Sequence, residues 1–130
     1  MFENLIGQKL MGMTFSERSD KVSIKTEEWK YTYEAVGDCC AAAYIAEFNF
    51  ADLAEILGKE IVAVDSRFYS KRGDWMTTDT EFYTIKTHSG DVEIELRTEH
   101  NGYYGGRLEL ISEEKIWPVF DDIREEAAIQ

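Results

Sequence analysis

Proline, cysteine, basic residues and long apolar runs are all scarce in this sequence. It has one proline, two cysteines and 14 lysines and arginines among 130 residues, against 26 aspartates and glutamates, so its net charge is −12. Because phosphate backbones are bound by basic surfaces, this balance argues against direct nucleic-acid binding. No apolar stretch approaches the roughly 20 residues of a membrane-spanning helix. We therefore expect a protein that engages neither nucleic acid nor membranes.

The two cysteines, Cys39 and Cys40, are neighbours in the chain. Adjacent cysteine side chains diverge from one backbone unit and rarely bond to each other, so we expect no disulfide framework. Unpaired cysteines are typical of a reducing compartment. The first ten residues contain an acid, Glu3, and lack the apolar segment of a secretory signal. The sequence thus predicts a cytoplasmic protein.

Apolar and aromatic residues, in contrast, are plentiful. Hydrophobic residues make up 44% of the chain, including seven phenylalanines, seven tyrosines and three tryptophans. A chain of this length with this supply can bury a core without metals or disulfides. No linker or repeat divides it, so we expect one domain over residues 1–130.

Alternation of apolar and polar residues predicts antiparallel strands over much of the chain. Trp29, Tyr31 and Tyr33 alternate with polar residues, as expected of a half-buried strand. Residues 91–100 alternate in the same way, and their apolar members should face inward together with Leu108 and Leu110 of the following strand. An exposed edge of such a sheet could pair two copies of the chain, so a homo-oligomer is possible.

Two segments change to a helical period. Residues 38–48 begin with Asp38, a good N-cap, and continue with alanines that favour a helix, which a second helical segment extends to Gly58. Residues 117–128 contain Pro118, which suits a first helical turn, and carry an amphipathic apolar stripe. The sequence therefore predicts an α+β domain: a mostly antiparallel sheet, a central helix after "GDCC" and a C-terminal amphipathic helix.

The stretch "HNGYYGGRLEL" places three glycines around two tyrosines. Asn101 and Gly102 are typical of a two-residue type I′ hairpin. Gly105 and Gly106 should then lie in the returning strand, where glycine usually marks a bulge or a close approach. An aromatic ring from the strand at residues 29–33 lying over the bare backbone would explain both glycines.

A ligand site is the alternative explanation of the same glycines. Free backbone N–H groups after Asp38 and in a glycine-rich loop can hold an anion, and tyrosine rings can stack on a base. If the two motifs meet, they form a cleft for a small, nucleotide-type anionic ligand. The candidate ligand-binding residues are Asp38, Cys39, Cys40, Asn101, Gly102, Tyr103, Tyr104, Gly105 and Gly106.

Four motifs in order, "GDCC", "LGKEI", "FYTIKTHSG" and "NGYYGGRLEL", resemble a family of small uncharacterised domains of bacteriophages and bacteria. The resemblance covers about residues 5–111. The chain departs from it at Ala41, where members carry a polar residue, and in the approach "RTEHNG" to the turn. The resemblance implies a phage or prophage origin, an accessory role in the host cytoplasm and no specific activity.

Acidic residues on one predicted strand face suggest a different kind of binding. Alternate residues of a strand repeat at about 6.6 Å, so they present their carboxylates in a row. Such a row can occupy a basic groove of a host protein, as in defence evasion, although Arg97 and Arg107 interrupt it. The alternative is ordinary solubility charge. The candidate partner-binding residues are Glu93, Glu95, Glu99 and Glu109.

Catalysis is the weakest of the three functional hypotheses. A Cys-dependent hydrolase needs a base near Cys39 or Cys40, and His100 is a candidate, but no family signature accompanies the pair. The cysteines and the distant histidines match no zinc spacing, so we expect no metal and no cofactor. We therefore expect a non-enzymatic binding protein whose partner is a basic host protein or, alternatively, a small anion.

Overall fold

The computed structural model describes residues 1–48, 53–102 and 105–116. Within these ranges the chain forms eight strands, a 3-10 helix at Glu3–Leu5 and a one-turn helix, α1, at Leu53–Ile56. Neither helical segment is long and apolar enough to cross a membrane. The strands are β1 Leu10–Phe15, β2 Lys21–Thr26, β3 Trp29–Gly37, β4 Ala42–Phe48, β5 Ile61–Arg72, β6 Thr77–Thr87, β7 Gly90–His100 and β8 Gly106–Lys115.

The strands form two four-stranded sheets in which all neighbours are antiparallel. The first sheet has the order β1-β2-β3-β8 and the second has the order β4-β7-β6-β5. The predicted α+β class is therefore wrong, because the described chain is almost entirely antiparallel sheet. The predicted C-terminal helix at residues 117–128 lies outside the described residues.

The predicted central helix after "GDCC" does not form. Residues 38–41 make a tight turn in which the Ala41 N–H donates to the Asp38 carbonyl at 2.7 Å, and the chain then enters β4. β4 pairs with β7 from Ala42 opposite Glu99 to Phe48 opposite Ile94. Helix propensity is a local preference of tenths of a kcal/mol per residue, and this ladder outweighs it.

The core fills the space between the inner faces of the two sheets. Its largest fully buried side chain is Tyr33 of β3, and the ring of Phe2 packs edge-on against it at 4.6 Å and against Tyr83 of β6 at 5.4 Å. The N-terminal segment therefore joins the two sheets through aromatic contacts. Other buried members are Leu5, Leu10, Val22, Ile24, Ile56, Ile61, Ile85, Val92, Ile94, Leu96 and Leu108.

The inward-facing residues of β7 and β8 test the predicted alternation. The apolar residues of β7 and Leu108 of β8 are buried, as predicted. Leu110 lies opposite the buried Tyr33 and so shares the inner face, as predicted, but it is 43% exposed. The ladder between β3 and β8 shifts register between Thr32 and Tyr33, which interrupts the alternation of β8.

The β5–β6 hairpin extends beyond the core. All β5 residues from Asp65 to Arg72 are exposed, on both faces of the strand. Residues 73–76 connect β5 to β6, and Trp75 in this turn is 92% exposed. We call residues 65–80 the arm. It presents aromatic side chains to solvent from a strand that, among the described elements, pairs only with β6.

The two core tyrosines should make the domain less stable at alkaline pH. Burial raises the pKa of Tyr33 to about 12 and also raises that of Tyr83 above its usual value. The unfolded state releases these protons near pH 10, so stability is complete below that pH and falls as pH rises toward the folded-state pKa. We expect a loss of up to about 1.4 kcal/mol per pH unit for each tyrosine above about pH 10, measured by denaturant unfolding.

Tyr33→Phe should flatten this decline, whereas Tyr69→Phe on the exposed arm should leave it unchanged. Equal slopes for the two variants would contradict the assignment of the effect to the core.

Candidate functional site

The two sequence motifs meet where the two sheets join. Gly37, the last residue of β3, lies opposite Gly106, the first residue of β8. Next to this pair, the Asp38 N–H donates to the Gly105 carbonyl at 2.9 Å, and the Gly105 N–H donates to the Asp38 carboxylate at 3.3 Å. The contact between "GDCC" and the glycine-rich stretch that the ligand hypothesis required is therefore present.

Arg107 forms ion pairs with two carboxylates at this junction. Its guanidinium donates to the Asp38 carboxylate at 2.9 Å and lies 2.7 Å from the carboxylate of Glu109. Hydrogen bonds to Glu109, and then to Asp38, raise the pKa of Arg107, which keeps it cationic. Asp38 thus serves two donors of its own chain, Gly105 and Arg107. An incoming anion would have to compete with both carboxylates for Arg107.

Gly106 is the point of closest approach between the sheets. A Cβ at this position would lie 2.7 Å from Cγ2 of Thr98 and 3.0 Å from Cβ of Ala43, with Oγ1 of Thr98 closer still. The close-approach explanation of this glycine is therefore confirmed, but the overlying group is a threonine of β7 and not an aromatic ring. Bare backbone at Gly106 is filled by the protein's own second sheet.

The two cysteines lie on the tight turn that connects the sheets. Cys39 and Cys40 are both exposed and free, with their sulfur atoms 3.1 Å apart. The hydrogen bond with Cys39 raises the pKa of Cys40, so less of its reactive thiolate is present at neutral pH. The predicted position at a helix N-terminus is wrong, because the segment is a turn followed by a strand.

His100, the last residue of β7, is buried and engaged on both sides of its ring. Nδ1 accepts a hydrogen bond from the Gly102 N–H at 2.9 Å, so Nε2 carries the proton and donates to Asp79 at 2.8 Å. Neither ring nitrogen is therefore available to accept a proton from a thiol. Asp79 was missed in the sequence because its approach to His100 depends on the β6–β7 register.

The predicted two-residue hairpin at Asn101 and Gly102 does not form. β7 and β8 belong to different sheets, and residues 101–105 carry the chain from one sheet to the other. Gly102 has the expected positive φ of 104°, but Asn101 does not share it, as a type I′ turn requires. Pairing of Gly106 with β3 draws the chain away from β7. Tyr103 and Tyr104 lie outside the described residues.

The predicted acidic row is divided between the sheets. Glu93, Glu95 and Glu99 share the outer face of the second sheet on β7, whereas Glu109 lies on β8 of the first sheet. Glu109 contacts Arg107 and therefore belongs to the junction. Only the three β7 glutamates form one surface.

Each β7 glutamate has a donor from its own sheet. Arg67 of β5 lies 2.6 Å from Glu93, and Arg97 forms an ion pair with Glu95, which is only 7% exposed. The Tyr44 hydroxyl donates to Glu99 at 3.1 Å. The surface is consequently a mixed array of charges and not a continuous acidic strip.

Aromatic side chains complete this surface. The guanidinium of Arg67 lies 4.9 Å above the ring of Phe82, and Tyr69 packs edge-on against the same ring at 5.9 Å. These neighbours become visible only when β5, β6 and β7 are aligned in register. We call this surface the outer face; it comprises Tyr44, Arg67, Tyr69, Phe82, Glu93, Glu95, Arg97 and Glu99.

Comparison with known proteins identifies the chain at the level of its family. A family model described as a domain of unknown function (DUF7448) matches residues 3–110. The chain belongs to this family. The match spans the junction and the outer face of the DUF7448 domain. No curated protein and no solved structure matches the chain.

The described residues also show how the candidate metal ligands are arranged. In the part of the DUF7448 domain that the structure describes, no three His, Cys, Asp or Glu side chains come together as ligands. His100 and Asp79 are instead paired with each other in a buried hydrogen bond.

Gly106→Ala should destabilise the DUF7448 domain, because its methyl group would overlap the side chain of Thr98. We expect a loss of about 1–3 kcal/mol in the free energy of unfolding, measured by denaturant titration. Thr98→Ala in the same chain should recover part of this loss.

Gly12→Ala is the matched control, since its Cβ would lie 4.0 Å from the nearest atom, in Lys25. A Gly106→Ala variant as stable as Gly12→Ala would show that the sheets do not depend on this close approach.

Proposed function

We propose that this domain acts by binding another protein and that the outer face of its second sheet is the binding surface. One observation carries the proposal: this face combines Tyr69 and Phe82 with arginines and glutamates on a rigid four-stranded sheet. Tyrosine, phenylalanine and arginine are enriched in protein interfaces, where they bury large areas.

The charges on and around this face favour a basic partner. Glu93 is 39% exposed, so its carboxylate can turn from Arg67 to a lysine or arginine of another protein. The net charge of −12 adds a long-range attraction that accelerates encounter with a cationic surface. Short-range aromatic contacts then supply affinity, whereas the acidic residues orient the partner and increase the rate of association.

The cellular setting that we propose follows from the motif resemblance. A phage or prophage accessory protein in the host cytoplasm would meet many basic host proteins, including nucleases and other nucleic-acid-binding factors of host defence. An acidic binder can occupy the groove of such a protein in place of nucleic acid. In this proposal the domain blocks its target without chemistry of its own.

Neutralising two outer-face glutamates tests the proposal. Glu93→Gln with Glu99→Gln should weaken capture of a basic host protein by about tenfold or more and reduce the salt dependence of binding. The measurement is affinity purification of the tagged domain from host lysate at a series of salt concentrations, followed by calorimetry with the captured protein.

Glu113→Gln with Glu114→Gln on β8 changes the net charge equally at exposed positions of the other sheet, and it should leave binding intact. If the two double variants lose binding equally, overall charge and not the outer face is responsible.

A small anionic ligand at the junction is the second candidate function. It is favoured by the contact of Asp38 with Gly105 and by the cationic Arg107 beside them. A nucleotide-type ligand bound here should raise the melting temperature of the domain, and Arg107→Ala should abolish this rise. A rise that persists in the variant would place the ligand elsewhere. A Cys-dependent hydrolase has less support, because both ring nitrogens of His100 are engaged.

A further inference from the structure

β5 presents a long edge that the described residues leave mostly uncovered. Its first residue is covered, since the Gly7 N–H donates to the Ile61 carbonyl and the Ile61 N–H donates to the Gln8 carbonyl. Beyond this point β5 continues to Arg72 with β6 on one side only. Native edge strands are usually kept short or interrupted by proline or a bulge. The outer half of β5, residues 65–72, has no proline and no register shift, and its protection against non-specific pairing is the charge of Asp65, Arg67, Lys71 and Arg72.

Two aromatic side chains of this segment are also exposed. Phe68 is 60% exposed and Tyr69 is 55% exposed, and because they are consecutive they lie on opposite faces of the strand. A partner strand added to the edge would place a neighbour beside each of them at the same time. Pairing with a partner strand would therefore account both for the uncovered edge of β5 and for the exposed aromatic side chains on its two faces.

We propose that β5 pairs in antiparallel fashion with β5 of a second copy, about a two-fold axis that passes beside Phe68. In this register Asp65 lies opposite Lys71 of the partner copy, and Arg67 lies opposite Tyr69. Both pairs occur twice because of the symmetry. The second sheets of the two copies would join into one continuous sheet of eight strands.

The sequence of β5 selects this register over its neighbours. In a continuous sheet, residues that lie opposite each other have their side chains on the same face. The two-fold axis must therefore pass beside a residue that lies opposite its own copy, and the possible registers differ in which residue of β5 this is. An axis at Arg67 would place that residue against itself. An axis at Tyr69 would place Arg67 against Lys71 in both halves. Like charges directly opposite are destabilising in a sheet, whereas opposite charges stabilise it.

An axis at Ser66 fails for a steric reason. It would place Lys71 and Arg72 of the partner opposite Ile61 and Glu60, where the edge is already occupied by Gln8 and Lys9. The axis at Phe68 brings Arg72 only as far as Val64, beyond the covered part of the edge. Among the axes from Ser66 to Tyr69, it is therefore the one that satisfies both charge and space.

The proposed pairing is consistent with the contacts already made by these residues. Asp65 lies 3.3 Å from Lys86 on one side, and Lys71 of the partner would approach from the open side. Arg67 stacks on Phe82, and Tyr69 of the partner offers a second aromatic surface for its guanidinium. Edge pairing uses backbone groups and engages Arg67 and Tyr69, so the part of the outer face on β4, β6 and β7 stays accessible to another protein.

Charge reversal and charge exchange test the register. The full chain should sediment as a dimer, and Asp65→Lys or Lys71→Asp alone should weaken dimerisation by about tenfold or more, because each creates two like-charge pairs. The double variant with both substitutions should restore dimerisation to within about threefold of the original. Circular dichroism should show unchanged sheet content in every variant, since both side chains are exposed.

Glu17→Lys and Lys25→Asp are the matched controls, as they change charge equally at exposed positions away from β5 and should leave the dimer intact. A monomer at all concentrations would overturn the proposal. So would a dimer that tolerates both single reversals, or a double variant that stays monomeric.

Cross-linking provides a second, geometric test. With Cys39 and Cys40 replaced by serine, Phe68→Cys should form an intermolecular disulfide under mild oxidation, because directly opposite Cβ atoms lie about 4.5–5.5 Å apart. Ser70→Cys should not, since that residue faces Ser66 of the partner. Cross-linking of Ser70→Cys in preference to Phe68→Cys would overturn the register.

Discussion

The close packing of the two sheets at their junction depends on the missing side chain of Gly106. Thr98 of β7 occupies the space where a Cβ would stand, and Ala43 of β4 lies just beyond it. This contact lies beside the turn at residues 38–41, where Asp38 meets Gly105. A backbone hydrogen bond from the Asp38 N–H to the Gly105 carbonyl holds this junction, and the Asp38 carboxylate accepts from both the Gly105 N–H and Arg107. A larger residue at this point would separate the faces whose burial stabilises the core.

Contacts within the protein also determine which polar groups are available to bind a ligand or partner. The polar groups that made the junction attractive as an anion site already bind one another, and the imidazole of His100 serves Asp79 and Gly102. Among the groups that remain accessible are those of the outer face and of the arm, where aromatic rings are exposed to solvent. An exposed aromatic ring gains no stability from burial, and we attribute these rings to the proposed partner surfaces.

Alternation in the sequence predicted most of the strands, because period two reflects a local constraint: one side of β3 or β7 must face the core. The helix after "GDCC" and the hairpin at Asn101 failed for a shared reason. Local propensity favoured both, but β4 pairs with β7 across some fifty intervening residues and β8 pairs with β3, not with β7. The contact between the two glycine-containing motifs was foreseen as a condition of ligand binding. The residues that make this contact could not be predicted. Thr98 packs against Gly106 and Arg107 binds Asp38 because of strand registers that a single sequence does not reveal.

Charge shows the same dependence on register. Counted along the chain, Glu93, Glu95 and Glu99 form an acidic row, but across the sheet they meet Arg67, Arg97 and Tyr44. The formal charge of −12 therefore overstates the field at this surface while describing correctly the attraction at long range. Arg67 connects these observations, because it neutralises Glu93 within its own sheet and also excludes the edge registers that would bring it near another cation. Arg67 thus reduces the negative charge of the outer face and also limits the registers in which β5 can pair. A long exposed edge can in this way accept one partner strand and reject others.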